Sequence, residues 1–190
     1  MCKLLDATVA FALLAVCTSA SLAQDHPRDS EISQALSAAP PSIASGAAVA
    51  VMDGKGNTTQ LRPGSNGWTC LAPQAGHAQH DTIEHHPSCF DKYGLEWIEA
   101  YIAHRMPDAE HVGYSYMLQG GSAWSNTDPT AKELAPGEKE YIHMPPHIMI
   151  LNARVAESSG FPSGQASPDT HKPFVMFGGT AYALVIIPLS

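Results

Sequence analysis

Histidine gives this chain its widest chemical opportunity: there are ten among 190 residues, and they are unevenly placed. His77, His80, His85 and His86 fall within the segment Gly76–His86, with Asp81 and Glu84 between them. Imidazole and carboxylate ligate Zn(II), Cu(II) and Ni(II), and a short His-rich tract can gather such groups without a preformed cage. The same tract also reads as a solvated loop that tolerates His. A second grouping is His143-Met144-Pro145-Pro146-His147-Ile148-Met149. Its two His are four residues apart, but Pro145 and Pro146 exclude the helix that would set them on one face, so this is not a metalloprotease pair. In an extended chain His147, Met149 and Leu151 share a strand face, and imidazole with thioether suits copper, particularly Cu(I). Against the metal reading with ligands His143, His147 and Met149 stands a plainer one, with Met149 filling core and His147 hydrogen-bonded at a strand edge.

The third grouping is the loop Gly120–Pro129. Asn126-Thr127-Asp128-Pro129 has the chemistry of an Asx-type turn, in which the side chains bond their own backbone. Its functional alternative makes Asp128 the orienting acid of His147 or His143, Asn126 a donor to a bound carbonyl or carboxylate, and Tyr116 or Tyr114 a neighbour of the ligand. That arrangement is the one route to acid–base catalysis, with His147 as base and Asp128 as its orienter, in a hydrolase or isomerase. Other catalytic patterns fail. Gly113-Tyr114-Ser115-Tyr116-Met117 lacks the closing glycine of a nucleophile elbow. Glu96 and Glu99 read as the solvated face of a helix rather than a glycosidase pair. Asp53-Gly54-Lys55-Gly56 is explained as a hairpin turn, not a phosphate cradle.

The compartment is read from the first residues. Lys3, the apolar run Ala7–Val16 and the small residues up to Ala23 form a secretory signal peptide over residues 1–23, with cleavage after Ala23 or, alternatively, Ala20. An apolar run of about ten residues is too short to span a bilayer, so no transmembrane span is expected. Lipidation at Cys17 is an alternative, disfavoured by the branched Val16 before it. Removing the leader takes one cation, Lys3, and one anion, Asp6, and leaves the net charge at −8. No Lys/Arg cluster exists, so nucleic acid and anionic lipid are not expected partners. Cys70 and Cys89 remain in a chain bound for an oxidising compartment, and a disulfide follows.

These groups are held by elements the patterning predicts. Residues 24–46, rich in Ala, Ser and Pro, read as a tether with a short helical stretch over Ser30–Ala39. Residues 47–190 form the globular domain. It opens as a β-meander of Ala47–Met52, Thr58–Arg62 and Trp68–Leu71, and a loop to Ser88 follows. Leu95, Ile98 and Ile102, widened by Trp97 and Tyr101, mark one main amphipathic helix over about 91–106, stopped by Pro107. His111–Gln119 alternates as a strand, Ile148–Leu151 is a short apolar strand, and Phe174–Phe177 with Ala181–Ile187 form a buried terminal hairpin placed mid-sheet. The expected fold is a single α+β domain with a mostly antiparallel sheet of about six strands.

Asn66-Gly67-Trp68-Thr69-Cys70, Ser125-Asn126-Thr127-Asp128-Pro129 and Pro146-His147-Ile148-Met149-Ile150 resemble segments of small exported bacterial proteins of uncharacterised function, a likeness running from about Ile43 to Pro188. The resemblance implies Asn126, Asp128 and His147 as site residues. The His77–His86 tract departs from it. The expected function is extracytoplasmic binding of a small polar ligand or a transition metal, copper or zinc, near His147. An envelope protein-interaction module is a third reading.

Overall fold

The computed structural model describes residues 27–73, 86–134, 136 and 140–189. Apolar alternation produces the first hairpin, β1 (Ala48–Met52) and β2 (Thr58–Arg62). Its turn is held by the Asp53 carboxylate, which accepts from the Lys55 and Asn57 amides at 2.9 and 2.8 Å, and by Gly56 at φ 80°. The meander expected next does not form: β3 (Thr69–Leu71) lies parallel to β1 on the side away from β2. The Cys70–Cys89 disulfide joins directly opposed residues of β3 and β4 (Ser88–Phe90), a strand hidden from sequence reading by its three-residue length.

Among the described residues eight strands make the main sheet, in the order β2-β1-β3-β4-β5-β8-β10-β9, antiparallel except for β1 with β3. β5 is Gly113–Met117, β8 His147–Leu151, β9 Phe174–Met176 and β10 Leu184–Pro188. Two further short strands, β6 (Gly121–Ala123) and β7 (Ile142–Met144), form a separate antiparallel pair inside what the sequence presented as loop. The fold is α+β and mostly antiparallel, with more strands than the six expected; the extra ones are three-residue segments too short to show a period of two. Of the terminal hairpin, β10 is internal, whereas β9 is the sheet edge. β9 is nevertheless buried, and the Val175 amide donates to the Pro162 carbonyl of a covering loop at 2.8 Å.

Helices cover both faces. α3 (Lys92–Ile102) is the expected amphipathic helix, its Trp97, Ile98 and Ile102 buried on one face of the sheet. Asp91 caps it, accepting from Gly94 N at 2.7 Å, and ties it to the sheet by accepting from Tyr114 N at 3.0 Å. The helix ends four residues before the expected boundary at 106. His104 adopts the left-handed conformation at φ 53°, and the Arg105 amide reaches back to Ala100 O at 2.8 Å, closing a Schellman turn without glycine. On the other face lie α1 (Pro27–Leu36) and α4 (Ala153–Ser158), with the single turn α2 (Pro41–Ala44) leading into β1.

The tether reading of residues 24–46 is therefore corrected for the part described. Ala35 and Ala38 are fully buried with Val49 and both cysteines, and Leu118 N donates to Ala38 O at 3.0 Å. Alanines that looked like linker composition are the small side chains that let α1 sit close on the sheet. No helix among the described residues is long and apolar enough to cross a membrane.

Candidate functional site

β8 carries His147, Met149 and Leu151 inward, as its alternation requires, and leaves Ile148 and Ile150 on the opposite side. His147 stands directly between Met117 of β5 and Pro188 of β10 and is completely buried. Its Nδ1–H donates to the Pro145 carbonyl at 2.7 Å, which sets the tautomer: Nε2 bears the lone pair. Nε2 is buried and has no hydrogen-bond partner among the described residues. Burial pushes the imidazole pKa below its ordinary value, although the Pro145 bond acts in the opposite sense. The site thus presents a neutral imidazole lone pair in an apolar setting.

That ring lines a partly open pocket holding about 440 Å³ of atom-free space, its mouth included. The floor is the sheet: Met149 of β8, Ile186 of β10 and Met176 of β9, with Phe177 beyond it. Met144 of β7, with Ser122 and Ala123 of β6, forms one wall. Trp124 to Pro129 close over it, and Tyr101 from the end of α3 completes the enclosure, its hydroxyl donating to Pro129 O at 2.9 Å. Tyr101 is stacked between Trp97 and Phe177, at centroid distances of 5.5 and 6.0 Å, so the aromatic wall is fixed from both sides.

The polar groups around the rim are already engaged. Asp128 accepts at Oδ1 from Thr130 N at 2.8 Å and from Thr130 Oγ1 at 2.7 Å, and these bonds hold its carboxyl below the usual carboxylate range. Ser125 Oγ accepts from the Thr127 and Asp128 amides at 3.1 and 3.0 Å, forming the turn expected of this segment. His86 Nε2 accepts from Ser122 N at 3.1 Å and lies 3.1 Å from Ser122 Oγ. The two bonds to one residue make His86 a bracket on β6, with its lone pair shared by the amide and hydroxyl of Ser122.

Of the residues singled out from sequence, His147, Met149 and Asp128 meet at this pocket. The role expected for Asp128 as orienter is taken by the Pro145 carbonyl, which accepts from His147 Nδ1, while Asp128 Oδ1 accepts from Thr130. His143 is exposed in β7 and is not among the lining residues: alternation turns Met144 inward in its place. Tyr116 lies on the far face, 5.4 Å from Trp68, since β5 sends Ser115 and Met117 to the pocket side. Asn126 is buried as a clamp, donating from Nδ2 to Gln165 O at 2.8 Å and to Val175 O at 3.4 Å. His77, His80 and His85 lie outside the described residues, while His86 is committed to Ser122. Sequence reasoning gave no role to Met144, Met176, Tyr101, Phe177 or Trp124. Alternation around His143 was the available signal for Met144, and none existed for Met176 and Phe177, which arrive from a distant strand.

No family model matches the chain, and neither a curated protein nor a solved structure does so.

Proposed function

We propose that this chain is an exported binding protein whose ligand, a small molecule or a metal ion, occupies the pocket over β8, β10 and β9 with His147 Nε2 as its polar anchor. One observation carries the reading: His147, fully buried and with no hydrogen-bond partner for Nε2 among the described residues, lines a cavity whose other walls are mostly apolar. Leaving such an acceptor unpaired costs roughly 1–3 kcal/mol, which a bound donor or cation recovers. A mostly apolar cavity with one oriented polar group is the usual build of a small-ligand site. Export is supported by the leader pattern of residues 1–23 and by the Cys70–Cys89 disulfide.

Binding is better supported than acid–base catalysis, because Asp128 is occupied by Thr130 and His147 is oriented by backbone. It is also better supported than docking of another chain: Met106, Tyr114, Phe161 and Leu189, the large exposed apolar side chains among the described residues, belong to four separate segments. The test is thermal-shift screening of the purified chain, cleaved after Ala23, against Cu(I), Cu(II), Zn(II) and a panel of small phenols, amines and carboxylic acids. Saturable one-site stabilisation, lost in His147→Gln, is the expected result. No stabilisation by any of them, or stabilisation equal in the variant, overturns the reading. Intact-mass measurement on material from the native cells should show a chain beginning at Gln24; an N-terminus at Met1 refutes export.

A further inference from the structure

Three of the residues lining the pocket are methionines, Met144 in one wall and Met149 and Met176 in the floor, each nearly or fully buried. A fourth, Met117, stands directly across from His147 on the neighbouring strand with its side chain on the same face. His147 and Met149 are successive same-face residues of β8, about 7 Å apart along the strand, a gap that their side chains can bridge through one shared ion. Among the described residues no lysine or arginine lines the cavity. Ser125 Oγ and Asp128 Oδ1 are bonded within their own loop and Ser122 Oγ pairs with His86, which leaves the methionine thioethers and the His147 imidazole as the soft donors among the lining residues.

That donor set selects among metals. Zn(II) and Cu(II) call for imidazole, carboxylate or thiolate in numbers. Among the described residues no three His, Cys, Asp or Glu side chains converge, and Cys70 and Cys89 are joined to each other. Thioethers are ligands for soft ions, and they keep their donor sulfur in a compartment where thiols pair off as disulfides. A singly charged ion is also the one least penalised by an apolar cavity.

Resting on the binding reading above, we propose that the pocket is a Cu(I) site, with His147 Nε2 and the sulfurs of Met149 and Met144 as ligands and Met176 as the adjoining thioether. The metal is held in its reduced state without any electron transfer to or from the protein.

The test is anaerobic titration of the oxidised, leader-free chain with Cu(I) against a chromophoric Cu(I) chelator, followed by copper K-edge absorption of the loaded protein. It is done in a His77→Asn, His80→Asn, His85→Asn background, so that the inter-cysteine tract supplies no nitrogen ligands. One ion per chain with sulfur neighbours is expected, together with at least a tenfold loss of affinity in Met144→Leu/Met149→Leu, a change that conserves apolar volume and keeps the cavity walls. Failure to compete for Cu(I), a shell of nitrogen and oxygen alone, or affinity unchanged in the double Leu variant overturns the proposal. If one of those occurs while an organic member of the panel still stabilises the chain through His147, the Cu(I) assignment falls and the binding reading stands. If no ligand of any kind binds, both fall. Should His147→Gln fail to fold, the Leu variants, which retain the imidazole, decide the matter.

Discussion

His147 is held where burial disfavours its charged form, and this makes the stability of the protein depend on pH. The unfolded chain protonates this side chain near pH 6.5, whereas burial keeps the native ring neutral to lower pH. Between those two values the unfolded state binds more protons, so stability falls as pH falls, by at most about 1.4 kcal/mol per pH unit. Urea midpoints measured at pH 7, 6 and 5 should decline in the wild type, and the decline should be smaller in His147→Gln. Parallel slopes would show that this imidazole titrates normally. Asn126 acts at the same scale but structurally: its Nδ2 holds the backbone of Gln165 and Val175. Asn126→Ala leaves the buried Val175 carbonyl short of a donor and frees the Gln165 loop, and should cost about 1–3 kcal/mol in chemical denaturation.

The contact between α3 and the sheet is where element-level packing controls the site, because α3 delivers Tyr101 to the pocket wall. Gly113 of β5 sits against the backbone of Tyr93 and Gly94, and a Cβ at Gly94 would lie 2.6 Å from Tyr114 O. Two glycines thus allow helix and strand to approach backbone to backbone, and Asp91 pins the junction. Gly113→Ala should force the helix outward and cost about 1–3 kcal/mol, the usual range for overpacking. Asp91→Ala removes a cap shared by helix and strand and should cost about 1–2 kcal/mol. Both are measured by urea unfolding monitored by tryptophan fluorescence. Gly113→Ala should in addition weaken ligand binding at the pocket, since the displaced helix moves Tyr101; unchanged binding would separate the two.

For the whole molecule, the disulfide joins β3 to β4 near the middle of an eight-stranded sheet and closes a loop with a sequence separation of 19. Chain-entropy arguments give roughly 3 kcal/mol for a loop of this size. Cys70→Ser/Cys89→Ser should lose about that much in denaturant titration, whereas reduction of the wild type should produce a similar drop only after the buried bond becomes accessible. A loss below ~1 kcal/mol would show that packing of α1 over the cysteines, not the covalent link, holds this half together.

Patterns with a short repeat were legible without the fold. The hairpin Ala48–Arg62, the α3 stripe and the inward face His147, Met149, Leu151 each follow from periods of 2 or 3.6 within one stretch of chain. The cysteine pairing followed from counting. Strands of three residues were not legible, since so few positions hold no period. Nor were the roles of Ala35 and Ala38, whose small size marks both linkers and close helix contacts. The pocket depended on tertiary structure for a different reason. Met176, Phe177 and Tyr101 reach His147 through strand order and sheet register, which depend on long-range pairing rather than on neighbouring residues. Likewise, the Nε2 that lacks a partner among the described residues became visible only once Pro145 had taken Nδ1 and the neighbouring strands had buried the ring.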